Sequence, residues 1–85
     1  MIASLSGGVA AVHPSAVVID VSGVGILVAC TPQTAASVRV GDPLMLHTSL
    51  IVREESLTLY GFVDSEQRDV FDLVQTVSGL SLIHI

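Results

Sequence analysis

The 85-residue sequence has no lysine, no tryptophan, one cysteine and three aromatic side chains, Tyr60, Phe62 and Phe71. Charged residues make up 13% of the chain and hydrophobic residues 51%. That balance excludes intrinsic disorder, which needs low hydrophobicity and high charge. Three arginines face eight acids, for a formal net charge of −5. This is the wrong sign for holding nucleic acid through the chain's own field. Any DNA grip would lie in another segment or another subunit. So few aromatics, on so acidic a chain, also argue against a base-stacking platform for single strands. The single Cys30 excludes an internal disulfide framework and a multi-cysteine metal site, and fits a reducing intracellular compartment. The longest apolar run, Gly23 to Cys30, is far short of the roughly 18–20 residues that span a bilayer. Met1 to Leu5 offers neither a basic region nor a long apolar one, so no signal peptide is expected.

What is present reads first as strands. Ile2 to Val12 is small and apolar, and Gly7-Gly8 inside it predicts a bend or bulge, as at a barrel corner. His13-Pro14-Ser15 is a turn, Ala16 to Val21 a second strand, Ser22 to Gly25 a tight turn, and Ile26 to Thr31 a third strand. Thr31 as N-cap and Pro32 at the first helical position predict a short helix over Pro32 to Val38. Gly41-Asp42-Pro43 breaks the chain before a fourth strand, Leu44 to Val52. Arg53-Glu54-Glu55-Ser56 reads as a polar loop. Leu57 to Phe62 is a fifth strand that alternates Leu57, Leu59 and Gly61 against Thr58, Tyr60 and Phe62. The expected fold is mainly β, a five-stranded Greek-key OB-like barrel with a short helix after the third strand. Closure removes the exposed edges that so apolar a chain tolerates poorly.

The pattern changes at Asp64. With Gln67 three positions on, it reads as a capping box. Val70, Leu73, Val74 and Val77 recur at helical spacing with Phe71 beside them, while Arg68, Asp72 and Gln75 lie off that face. A helix is expected over Ser65 to Thr76.

Several motifs in order carry a family likeness. Met1-Ile2 and Gly7 open the chain, and Val18-Ile19-Asp20-Val21 leads to Gly23-Val24-Gly25. Ile51-Val52-Arg53-Glu54-Glu55 and Leu59-Tyr60-Gly61-Phe62 follow, and a helix closes on Val77-Ser78-Gly79. The series resembles the N-terminal domain of the RuvA family. The resemblance implies an OB-like barrel, residues 1–63, at the centre of a homotetramer that binds four-way (Holliday) junction DNA during recombination and repair. It implies that Glu54 and Glu55 form an acidic pin at the crossover. Residues 64–79 would then be the first helix of a helix-hairpin-helix domain whose remainder grips phosphates. A further domain would engage RuvB, the ATPase of the branch-migration complex. No catalytic site and no cofactor are implied for this chain, since ATP and magnesium serve the partner. The implied location is the bacterial cytoplasm, without a membrane. The chain departs from the family at Ser4 and Ser6, where basic residues are usual, and after Gly79. Leu80-Ser81-Leu82-Ile83-His84-Ile85 reads as an in-frame translation of a sequencing adapter (CTG TCT CTT ATA CAC ATC), so residues 80–85 are expected to be non-native.

Each candidate has a plainer reading. Glu54 and Glu55 alone describe any solvated loop tip, and the resemblance turns them into a pin. Arg53 could meet a phosphate or pair with Glu54, Glu55 or Asp20. Leu57, Leu59, Tyr60 and Phe62 are candidates for the core or a subunit interface. Gly23-Val24-Gly25 lacks the third glycine and following helix of a dinucleotide site. His13, His47 and His84 show no metal-ligand spacing, and Cys30 reads as an inert buried thiol. Two functions remain open: a non-catalytic junction-binding scaffold, and a free-standing OB-type protein-interaction module that binds no DNA.

Overall fold

Gly7 and Gly8 stand where the first strand changes partner. In the computed structural model, which describes residues 2–83 and side chains through Thr76, β1 (Ser4–His13) pairs antiparallel with β4 (Pro43–Arg53) from Ser4 to Gly8. From Gly8 to His13 it pairs instead with β2 (Ala16–Val21). A Cβ on Gly7 would collide with the carbonyl oxygen of Asp20, so the corner needs a residue without a side chain. The register slips once, between Val9 and Ala11. The bulge therefore lies just after the glycines, while the glycines carry the close approach.

β2 and β3 (Val24–Ala29) form a hairpin whose turn is Ser22-Gly23 alone. Both turn residues have positive φ, 52° and 89°, as a mirror-image hairpin turn requires. Asp20 Oδ1 accepts a hydrogen bond from Gly23 N–H at 2.8 Å. The third strand was expected at Ile26 to Thr31 but begins two residues earlier, because the turn consumes only two residues. Its far end is released because Thr31 is drawn into a helix cap. Thr31 Oγ1 accepts from Thr34 N–H at 3.2 Å, and Pro32 opens α1 (Pro32–Ala36). That helix stops before the expected Val38. Ser37 N–H turns to the carbonyls of Gln33 and Thr34, and its hydroxyl donates to Thr34 O at 2.7 Å.

β4 and β5 (Ser56–Phe62) form the second hairpin, paired from His47↔Phe62 out to Arg53↔Ser56. β5 closes the barrel by a short parallel contact, Ala29↔Tyr60, giving the cyclic order β1-β2-β3-β5-β4. This is the expected five-stranded OB-like barrel, with α1 after the third strand. Val17, Ile19, Val28, Leu46 and Leu59 form its core, and Leu5, Val21, Ile26, Val38, Leu44 and Leu50 pack around them. At Gly61 a Cβ would lie 2.8 Å from Leu46 Cδ1 and closer still to Val28, so β5 can approach the core only as glycine.

α2 (Ser65–Ile83) follows. Asp64 caps it, Oδ1 accepting from Glu66 N–H at 2.8 Å, one residue earlier than the expected box with Gln67. The helix runs past the expected end at Thr76. The expectation for residues 80–85 lies outside the residues whose side chains are described.

Candidate nucleic-acid interface

β4 is longer than the strands beside it, and this builds the candidate site. β1 covers β4 only from Pro43 to His47. Ala3 O adds one bond to Thr48 N–H at 2.9 Å, and Ile2 O accepts from the Thr48 hydroxyl at 2.8 Å. Beyond that point only the β4–β5 ladder continues, so the hairpin leaves the wall as a two-stranded arm. Three residues of extended chain carry its tip about 10 Å past Leu50.

The tip is Glu54-Glu55, a two-residue turn rather than the longer polar loop expected. Neither glutamate has positive φ, so this is not one of the mirror-image turns that suit a hairpin's twist. Both carboxylates are exposed. Like charges at about 4 Å repel by about 1 kcal/mol in water, and by more where solvent is excluded. Arg53 is exposed beside them. Among the described residues the ion pairs are those of Arg68, and Arg53 makes none with Glu54, Glu55 or Asp20.

The other candidates separate. Leu59 lies in the core. Tyr60 and Phe62 point to the outer side, where each ring packs against Phe71 of α2 at 5.0 and 5.1 Å. Leu57, expected in the core or at a subunit interface, lies outside the core. It is 70% exposed on the arm, opposite Val52 at 68%, because no strand covers that stretch. The Gly23 amide is already taken by Asp20, which leaves that turn no phosphate cradle. Burial pushes the Cys30 thiol above its ordinary range, away from the reactive thiolate. A recess of about 490 Å³ beside Thr34, Ser37 and Phe62 has no ionisable side chain in its lining.

A family model described as the RuvA N-terminal domain matches residues 1–61. The chain belongs to the RuvA N-terminal domain family. The match ends one residue before β5 does, and α2 lies beyond it. Proteins named Holliday junction branch migration complex subunit RuvA are similar to nearly the whole chain. The one from Cutibacterium acnes is 60% identical over 80 residues, covering 94% of this chain and 40% of that protein. The Streptomyces coelicolor protein is 59% identical with the same coverage. The Acidothermus cellulolyticus protein is 52% identical, covering 94% and 41%. The chain thus spans about 40% of the length of these RuvA relatives.

Sequence reasoning missed a polar cluster where α2 meets the barrel of this RuvA N-terminal domain. The Ser49 hydroxyl, 8% exposed, donates to Asp72 Oδ1. Arg68 lies 3.9 Å from Asp72 Oδ2 and donates to Ala3 O at 3.1 Å. Two signals point to it. One is the polar stretch His47-Thr48-Ser49 in the middle of the otherwise apolar β4. The other is the i,i+4 pair Arg68–Asp72 on α2.

Proposed function

We propose that the chain is the barrel and linking helix of a Holliday-junction branch-migration subunit, a non-catalytic scaffold in recombination and repair. The observation that carries this reading is an acidic two-residue tip on a projecting arm, in a barrel that belongs to the RuvA N-terminal family. In this reading the barrel forms the centre of a homotetramer. Around its axis the arms bring Glu54 and Glu55 of every copy to the point where the four DNA strands cross. Phosphates forced near these carboxylates are repelled most where DNA excludes water. The pin thus keeps the junction open and steers strands apart, and Arg53 beside it offers a phosphate contact. The remaining length of the protein, beyond α2, supplies the phosphate grip and the surface for RuvB, which uses ATP and magnesium. Residues 64–79 begin that grip domain, and the exposed row Val70, Leu73 and Val74 is the face it covers. Among the described residues no helix is long and apolar enough to cross a membrane, and we place the complex in the bacterial cytoplasm.

The net charge of −5 supports one further expectation. The 85-residue chain alone binds junction DNA weakly or not at all, since phosphate contacts dominate such affinity. The test is a chimera that joins this chain after residue 79 to the remaining part of the Cutibacterium acnes relative. The Glu54→Gln/Glu55→Gln chimera should fold and assemble normally. It should show altered branch migration with RuvB and reduced preference for junction over duplex. Unchanged migration and preference would remove the pin role. Tight, steeply salt-dependent junction binding by the 85-residue chain itself would contradict the division of labour. Stable capture of a protein partner with no DNA binding by the chimera would favour the interaction-module reading instead.

A further inference from the structure

α2 turns its less apolar side to the barrel. The residues at the contact are Arg68, Phe71, Asp72 and Gln75, all partly buried and spaced i, i+3, i+4, i+7. Val70, Leu73 and Val74 are left 61%, 66% and 54% exposed. Burial of apolar surface, which has no directional preference, would favour rolling the helix until that row met the sheet. Phe71 packs against Tyr60 and Phe62 at 5.0 and 5.1 Å and favours the observed face, but apolar packing by itself is not directional. The hydrogen bonds are directional. A rolled helix would leave the Ser49 hydroxyl buried without its carboxylate, which is the costly half of breaking such a bond. It would also pull Arg68 from Ala3 O.

We infer that Ser49, Asp72 and Arg68 are a positioning latch that fixes the rotation of α2 on the barrel, and so the direction in which the following chain departs relative to the arm. The geometric part stands on the barrel–helix contact alone, while its consequence for DNA rests on the junction-binding reading above. The latch holds at two places on either side of Phe71. Ser49–Asp72 ties the helix to the middle of β4, and Arg68–Ala3 ties it to the segment entering β1. Together they keep the apolar row facing outward.

The test starts with distances in the 85-residue chain. Spin labels go on cysteines at Val40 and Val74, both exposed, in a Cys30→Ser background. Pulsed electron resonance should give one narrow distance distribution. Ser49→Ala and Asp72→Ala should each broaden or shift it, and the double variant should do no more than either single one, as coupled partners require. Ser49→Thr should restore the narrow distribution. Phe71→Ala serves as the contrast, lowering thermal stability without selecting a new rotation. An unchanged distribution in Asp72→Ala overturns the latch. In the chimera, Asp72→Ala should lower the junction-to-duplex affinity ratio about tenfold, with duplex affinity held. An unchanged ratio despite shifted distances overturns the directional consequence. A chimera that binds no junctions with its latch intact sinks the functional reading instead, and the distances still decide the latch.

Discussion

Leu46 and Val52 belong to the same inward row of one strand, yet Leu46 is fully buried and Val52 is 68% exposed. Between them Thr48 is buried and Leu50 half-buried. Facing β5 shows the same gradient, from Leu59 at 7% to Leu57 at 70%. Strand alternation decides which side a residue faces. It does not decide whether anything lies opposite. In the barrel wall β1 and β3 flank the hairpin and α1 closes in, so the row is core. On the arm no further strand among the described residues pairs with the hairpin, and the same residue types become accessible surface next to two carboxylates. One hairpin thus packs as core at its base and stands exposed at its tip.

The comparison is broken most sharply by truncating both ends of the row. Leu46→Ala should cost about 2–5 kcal/mol of stability, as a buried leucine does. Val52→Ala should stay within about 0.5 kcal/mol, as exposed substitutions do. Chemical denaturation of both variants checks this, and a similar large loss for Val52 would mean that the arm is packed in solution. A second pair sharpens the contrast by reversing the size change. Gly61→Ala adds one methyl group against Val28 and Leu46 and should cost about 1–3 kcal/mol through overpacking. Leu57→Ala removes most of a side chain from the arm and should cost less.

The smallest effect lies at Cys30, on the barrel side of the contrast. Its thiol is raised by burial, so folding favours the protonated form. The stabilising difference is present below the ordinary thiol range and fades as pH rises through the raised value. Stability measured from pH 7 to 10 should therefore fall slightly on the alkaline side. Cys30→Ala should flatten that limb. A limb unchanged in Cys30→Ala would assign the alkaline loss to another group.

Local chemistry made much of the barrel legible. Ala16 to Val21 is strand where its β-branched run predicted. Thr31 and Pro32 start α1 because the cap and the fixed proline φ act within four residues. Gly7-Gly8 marked a corner because absent side chains signal close approach. Errors arose where one element took residues from another. Ser22-Gly23 needed only two residues for its turn, so β3 shifted, and Ser37 ended α1 early. The acidic pair was visible as a motif, but not that it crowns a projecting arm, since that depends on β1 ending its coverage near His47. The apolar row of α2 was visible too. Which side meets the barrel was not, because the decision rests on Ser49, more than twenty residues upstream.

Composition, turn residues and alternation by themselves determined a small acidic β-barrel with a capped helix at each expected place, because those preferences act over a few bonds. Only the tertiary structure decided which apolar residues are covered, how far the Glu54-Glu55 tip projects, and which face of α2 docks. Those outcomes depend on strand overlap and on single hydrogen bonds between segments far apart in the chain, which no local pattern encodes.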